Sequence, residues 1–261
     1  MPTKTLVAVS GGFDSTYILW KLLSSTDDEI TAIHFDKSYV TENRKHLQSQ
    51  MSVYEKIIIR NIQNWLTANT RSFNYITHVV SGYEDGRQSP EMYMLKYTGT
   101  QINSGTYDRV AFGFGAKKVN GVYDLSGRPP NNSVPFDFYP PYYGNYASVS
   151  SLWYPLVEWE ANTFKIISDI PETLRNLISS CTTPSIDDSG NIIPCGNCTK
   201  CTWNDFVKYK ISEGSLTEST FKSHMESQNT YTYIKDGVEK TFSKSEITKR
   251  ISIGWETYHK S

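Results

Sequence analysis

Near its start, the chain leaves a run of apolar residues through two glycines and enters a helix-like segment, since residues 6–16 are LVAVSGGFDST. The residues from Thr5 to Val9 are typical of a buried strand, and the apolar spacing from Ser15 to Leu23 predicts a helix. Glycines without a Cβ atom let the backbone approach an anion, and the unpaired N–H groups of a helix start favour one. The feature therefore predicts an α/β chain with an anion site at this turn.

Strand and helix patterns alternate four times along the first part of the chain. Further strands are predicted at residues 29–35, 73–80 and 108–115, with helices at residues 53–66 and 90–97. This alternation is typical of a parallel sheet covered by helices on both faces, which binds its ligand at the carboxyl ends of the strands. We expect residues 1–160 to form this nucleotide-binding α/β domain.

The residues of the glycine turn indicate which kind of anion it could bind. The turn has neither the lysine of a Walker loop nor the third glycine of a dinucleotide fingerprint. A cradle of N–H and hydroxyl groups can hold pyrophosphate as a leaving unit, and Asp14 beside phosphate suits a helix cap or a Mg²⁺ ligand. An ordinary strand-to-helix turn with glycine and serine capping is the alternative. The residues predicted to bind the nucleotide are Ser10, Gly11, Gly12, Asp14, Ser15 and Thr16.

All the cysteines of the chain lie close together, at Cys181, Cys195, Cys198 and Cys201, and the last three form the run CGNCTKC. Four thiolates bind Zn²⁺ tetrahedrally and leave no open coordination position, so the pattern predicts a structural zinc site. An iron–sulfur cluster, a redox-active thiol and unligated cysteines remain as alternatives. Disulfides are the weaker interpretation for a protein expected to be intracellular.

Two further regions follow the α/β domain. Residues 161–228 are expected to form a helical zinc-binding appendage, and residues 229–261 a C-terminal extension. A hairpin is predicted in the extension at residues 230–242, because Asp-Gly at its centre suits a tight turn. This hairpin is a candidate surface for packing, partner recognition or a homodimer. The proline- and tyrosine-rich stretch at residues 128–150 suits a surface loop or a lid near the site.

Charge and hydropathy exclude several classes of partner. The formal net charge is −1, from 26 basic and 27 acidic residues, so no general attraction to nucleic acid or anionic membrane is expected. No run of 18 apolar residues and no signal-peptide pattern is present. The sequence therefore predicts a cytoplasmic protein with neither a membrane nor a nucleic-acid partner.

The segment SGGFDS at residues 10–15 matches the SGGxDS signature of the N-type ATP pyrophosphatases, or PP-loop enzymes. Together with the later CGNCTKC run, it resembles the 7-cyano-7-deazaguanine synthase (QueC) family of that superfamily. HFD at residues 34–36 and GFGAKKVNGVYDLSGRPP at residues 113–130 are similar to family segments in the same order. The resemblance spans roughly residues 5–205 and implies a Rossmann-like, adenine nucleotide alpha hydrolase-like fold.

What the resemblance implies is ATP- and Mg²⁺-dependent adenylation of a carboxylate, followed by attack of ammonia. The family converts 7-carboxy-7-deazaguanine to the nitrile through an amide. Carried over residue by residue, the implied roles are catalysis for Asp14, Ser15 and Asp36, and substrate binding for Asp124 and Ser126. Lys117 is a further candidate for substrate binding, because it follows the glycine segment at residues 113–115, where a cation could meet a phosphate or a substrate carboxylate; a solvated lysine is the alternative.

This chain departs from the family pattern at Lys37 to Tyr39 and at Arg128, where the family has other residues. These departures bear on the substrate pocket rather than on ATP activation. A related enzyme that adenylates another carboxylate, such as a protein C-terminus, is therefore one alternative. A nucleotide-binding module without turnover is another.

Overall fold

The fold is taken from a computed structural model. It describes residues 1–37, 45–80, 90–113, 117–119, 122–124, 152–161, 163–181, 183–196, 198–214, 230–235 and 238–243.

Eleven strands lie in these ranges. They are β1 (Lys4–Ala8), β2 (Glu29–Asp36), β3 (Asn74–Val79), β4 (Arg109–Ala111), β5 (Lys117–Val119), β6 (Val122–Asp124), β7 (Leu152–Trp153), β8 (Ser185–Ile186), β9 (Ile192–Ile193), β10 (Thr230–Lys235) and β11 (Val238–Ser243). The four strands predicted for the α/β domain are confirmed as β1 to β4. The antiparallel β10–β11 pair confirms the predicted C-terminal hairpin.

Five of the strands form one sheet in the order β3-β2-β1-β4-β7, and every neighbouring pair is parallel. In the register, Val7 of β1 lies opposite Ala32 of β2 on one side and Ala111 of β4 on the other. Strands β2 and β3 extend the sheet to one side of β1, and β4 then pairs with the opposite side of β1. The carboxyl ends of β1, β2 and β4 therefore meet at one edge, where such sheets bind ligands.

Seven helices accompany the strands in the described ranges. They are α1 (Phe13–Ser25), α2 (Lys45–Asn69), α3 (Pro90–Asn103), α4 (Pro155–Glu158), α5 (Thr163–Asp169), α6 (Glu172–Arg175) and α7 (Thr199–Ser212). The predicted helices are confirmed, but α2 begins earlier than the predicted residue 53. Its first turns carry the mostly polar run KHLQSQM, in which no apolar periodicity marks a helix.

The central strands β1 and β2 are buried on both faces, as predicted, whereas the edge strand β3 is largely exposed. Val7 packs into a cluster with helix residues such as Ile18 and Ile58, whereas Leu6 packs on the other face in a cluster with Val110 and against Met94 of α3. Alternate residues of β1 therefore enter two cores, which explains its uninterrupted apolar run.

The helices near the cysteines share the first of these cores. Phe164, Ile167 and Leu174 belong to the same buried cluster as the inner face of α1. The Tyr17 hydroxyl also donates to Oδ2 of Asp169 at 2.7 Å. The division at residue 160 stays a prediction, and the shared core ties α5 and α6 directly to the α/β sheet. None of the helices in the described part of the chain is long and apolar enough to cross a bilayer.

Candidate functional site

The turn between β1 and α1 is held by its own serines. The Ser10 N–H donates to the Ser15 hydroxyl at 3.1 Å, and the two hydroxyl oxygens lie 3.3 Å apart. The cap residue of α1 is Gly12, which supplies no side-chain cap. In the first hydrogen bond of the helix, the N–H of Thr16 donates to the carbonyl oxygen of Gly12. The amides of the first turn therefore have no carbonyl partner within the helix.

Two glycines allow other elements to approach this turn closely. Gly11 has φ +76°, and a Cβ atom there would lie 2.7 Å from Cγ2 of Ile58 on α2. A Cβ atom on Gly113, just after β4, would lie 3.1 Å from the backbone nitrogen of Ser15. The glycine at position 11 thus serves packing against α2, and the one at 113 brings the end of β4 beside the helix start.

A cavity of about 260 Å³ opens at the carboxyl ends of β1, β2 and β4. Ser10, Gly12, Asp14 and Ser15 of the turn line it, together with apolar side chains from the neighbouring elements. The apolar part of the lining comes from Phe35, Met94 and Phe112. The cavity thus combines a polar turn with apolar and aromatic surface, as small-ligand sites generally do.

The remaining two residues predicted to bind nucleotide lie behind the turn. Gly11 and Thr16 line a small apolar cavity against α2, together with residues that include Ile59 and Ile62. Thr16 is 2% exposed, so its side chain belongs to the core. The six predicted residues therefore divide into four that face the large cavity and two that pack behind it.

Asp14 directs its carboxylate into the cavity rather than capping the helix. Asp14 is exposed at the cavity, but neighbouring protein groups displace part of the water around its carboxyl, and this desolvation raises its pKa from 3.8 to about 6. The positive charge of Lys200 acts in the opposite direction. A cation bound beside the carboxylate would favour its ionised form, which makes Asp14 a suitable ligand for Mg²⁺.

Three charged residues of the cavity lie outside the predicted set of site residues: Glu55, Lys200 and Lys37, which the sequence analysis noted only as a departure from the family pattern. Nζ of Lys37 lies 3.8 Å from Oε2 of Glu55. Burial raises the pKa of Glu55, while Lys37 and Lys200 lower it. Lys37 directly follows β2, so the rule that ligands bind at strand ends could have found it. No local signal marks the other two.

His34 also lines the cavity but is 1% exposed. Its Nδ1 atom lies 3.3 Å from the carbonyl oxygen of Val9, and Nε2 has no hydrogen-bond partner among the described residues. Burial lowers the pKa of His34 to about 4, so the ring is neutral at physiological pH. The burial of His34 and its contact with Val9 suit a packing role.

Asp36 is placed beside the cavity and does not line it. Its Oδ1 atom accepts a hydrogen bond from the Ser52 hydroxyl at 2.8 Å, and Oδ2 lies 2.6 Å from Nζ of Lys56. Both partners belong to α2, so the carboxylate ties the end of β2 to that helix. The catalytic role of Asp36 stays a prediction, while its structural contacts are established.

Two of the three predicted substrate residues lie on a small antiparallel strand pair. Lys117 and Asp124 are directly opposite each other in the antiparallel β5–β6 pair. Ser126 lies outside the described residues. Their role in substrate binding remains a prediction.

The four cysteines come together as predicted. The Sγ atoms of Cys181, Cys195, Cys198 and Cys201 all lie within 4.8 Å of one another. A zinc–sulfur tetrahedron with bonds of about 2.3 Å has sulfur–sulfur edges of about 3.8 Å, so the spacing suits a metal such as zinc. Burial raises the thiol pKa of Cys181 and Cys201, and a bound cation would offset this cost by stabilising the thiolates.

Backbone amides support the sulfur atoms. The N–H of Cys195 donates to Sγ of Cys181 at 3.2 Å, and the N–H of Cys198 donates to Sγ of Cys195 at 3.3 Å. Sγ of Cys198 in turn caps α7 by accepting from the N–H of Cys201 at 3.4 Å. A helix N-terminus favours negative charge, so this arrangement suits thiolate ligands.

The cysteine cluster adjoins the cavity through the residues that precede two of its ligands. Ser180 comes directly before Cys181, Lys200 comes directly before Cys201, and both line the cavity. The Ser180 hydroxyl accepts a hydrogen bond from the N–H of Phe13, at 3.4 Å, in the first turn of α1. The cluster and the glycine turn are therefore neighbours in the fold.

No family model matches the sequence, and the search of curated proteins gives no match.

Proposed function

We propose that this protein is an ATP-dependent enzyme that adenylates a carboxylate and then transfers ammonia to it. The substrate we propose is 7-carboxy-7-deazaguanine, with 7-cyano-7-deazaguanine as the final product. The observation that carries the proposal is the position of Asp14 and the serine turn. They face a cavity at the ligand-binding edge of a parallel sheet, at the amino end of α1.

Each part of the turn has a task in this reaction. The amides of Asp14 and Ser15 and the hydroxyls of Ser10 and Ser15 would donate to the β- and γ-phosphates, which leave as pyrophosphate. Asp14 would hold Mg²⁺, which supplies charge neutralisation for the leaving group. The four cysteines would hold Zn²⁺ with every coordination position filled, so that metal would stabilise the fold without entering the chemistry.

The chemistry requires two activations. In the first, a carboxylate oxygen forms a bond to the α-phosphorus while the bond to pyrophosphate breaks. Ammonia then attacks the carbonyl carbon, AMP leaves with the bonding electron pair, and loss of a proton gives the amide. In the second, the amide oxygen forms a bond to the α-phosphorus of another ATP while the bond to pyrophosphate breaks. Departure of AMP and loss of the remaining nitrogen-bound protons give the nitrile.

A mass-spectrometric assay of the purified protein tests the proposal. Protein, Mg-ATP and ammonium are incubated with 7-carboxy-7-deazaguanine in one reaction and with a peptide bearing a free C-terminal carboxylate in another. The proposal predicts amide and nitrile with matching AMP in the first reaction only. Product from the peptide alone would move the proposal to another carboxylate. Mg-ATP binding with no AMP from either substrate would indicate a nucleotide-binding module instead.

A further inference from the structure

A lysine that is distant in sequence from the glycine turn lines the candidate nucleotide cavity. Lys200 lies between the cluster residues Cys198 and Cys201 and lines the cavity together with Asp14. The glycine turn itself has no lysine, in contrast to a Walker loop, where a lysine reaches the terminal phosphates. Lys200 therefore supplies a positive charge to the cavity, which the turn itself lacks.

The position of Lys200 is fixed by its neighbours. It is in the first turn of α7, whose cap is the sulfur of Cys198. Because Cys198 and Cys201 both contribute to the cluster, a metal bound there would hold the backbone on either side of Lys200. The hydrogen bond from the Phe13 N–H to Ser180 fastens the other side of the cluster to α1. The backbone that carries the Lys200 ammonium group is thus held in place beside the turn.

The charge of Lys200 is available to a ligand. Its side chain is exposed, and among the described residues no carboxylate lies within ion-pair distance of its ammonium group. Its field nevertheless acts on both acidic groups of the cavity, because it opposes the raised pKa of Asp14 and of Glu55. An anion entering the cavity would meet a cation that is close to the first turn of α1 and not already neutralised.

We propose that Lys200 contacts the pyrophosphate portion of the bound nucleotide, and that the cysteine cluster holds it in place for this contact. The inference rests on the proposed function, since it assigns a further residue to the same nucleotide site. Lys200 would donate charge-assisted hydrogen bonds to phosphate oxygens, which gain strength as negative charge builds up on the leaving group.

The test is calorimetric titration of inorganic pyrophosphate with Mg²⁺ into the full-length, metal-loaded protein. Lys200→Met should weaken binding by about tenfold or more, which is the usual effect of losing a hydrogen bond to a charged group. Lys200→Arg should recover most of the affinity, because it keeps the charge. The matched control is Lys4→Met, which removes the same charge from an exposed lysine at the opposite end of β1 and should leave affinity unchanged.

Metal content is measured in every variant, and we expect it to equal that of the unmodified protein. Unchanged affinity in Lys200→Met would overturn the inference and leave the proposed function intact. Equal weakening in Lys4→Met would also overturn it, because the effect would then be one of overall charge. If the unmodified protein bound neither pyrophosphate nor Mg-ATP, both the inference and the proposed function would fall.

Discussion

The glycine turn and the cysteine cluster are each identified by a short sequence motif, but the residues of the two motifs are placed differently in the fold. All four cysteines converge on one point. The six residues of the turn divide, since Gly11 and Thr16 pack behind it while the other four face the cavity. A metal requires every ligand atom to converge, whereas a backbone turn has two sides and only one can face a ligand.

The two regions also differ in how much of the remaining chain they need. The cluster takes all its ligands from a single loop and the start of α7. The cavity adds Lys37 after β2, Glu55 from α2, Met94 from α3 and Lys200 from α7 to the turn. A local motif can therefore define the cluster, but it defines only one wall of the cavity.

The largest expected effect is on catalysis at the turn. Asp14→Asn should reduce AMP formation by about a hundredfold to a thousandfold, as loss of a group that stabilises developing charge typically does. The melting temperature at neutral pH should stay the same or rise, because Asp14 does not cap α1 and its raised pKa disfavours the ionised carboxylate in the folded state. Both are measured beside Asp27→Asn, which removes an exposed carboxylate in a loop and should match the unmodified protein. Normal turnover in Asp14→Asn would remove the turn from the active site.

In the cysteine cluster, by contrast, we expect a substitution to affect metal content and stability. Cys181→Ser should lower metal content from about one ion per chain and reduce the melting temperature by roughly 10 °C, because a structural metal contributes directly to folding. Ser189→Ala, an exposed position in the same loop, is the control and should change neither quantity. Purified protein with well under one ion per chain, and no loss of stability on chelation, would contradict the metal site.

A smaller effect tests the claim that Gly11 belongs to the packing side of the turn. Gly11 and Gly105 both have positive φ, at +76° and +73°, but only a Cβ atom on Gly11 would meet another residue. Gly105→Ala should cost about 1 kcal/mol of unfolding free energy from backbone strain alone. Gly11→Ala should cost about 2–4 kcal/mol, because the clash with Ile58 adds to that strain. Equal costs in urea unfolding would show that the approach of α2 does not require the glycine.

The smallest effect concerns the titration of Asp14. Its pKa rises from 3.8 to about 6 on folding, so the folded protein retains a proton that the unfolded chain releases in this window. The resulting stabilisation is fully present below pH 3.8 and is lost as the pH rises through 6. The stability of the unmodified protein relative to Asp14→Asn should therefore fall between pH 4 and pH 7. A pH-independent difference in their unfolding free energies would contradict the raised pKa.

The sequence predicted β1 to β4, the β10–β11 pair and the cysteine cluster because each has a local signal, whereas the two-residue strand β7 of the main sheet was not predicted. A strand buried on two faces is an uninterrupted apolar run, as in residues 5–9, and metal ligands have characteristic spacing. The early start of α2 was missed because its first residues are polar. Glu55 and Lys200 were missed because periodicity indicates which face of a helix is buried, and does not indicate which distant helices meet at one cavity. The contacts of Asp36 with Ser52 and Lys56 depend on the same long-range packing.

Isotope transfer is the most direct test of the central claim, which is that a carboxylate oxygen of the substrate attacks the α-phosphorus of ATP at the glycine turn. 7-Carboxy-7-deazaguanine labelled with ¹⁸O in both carboxylate oxygens is incubated with the protein, Mg-ATP and ammonium, and the AMP is analysed by mass spectrometry. The account predicts one ¹⁸O atom in each AMP and none in pyrophosphate. Unlabelled AMP, or no AMP from metal-loaded protein, would contradict it.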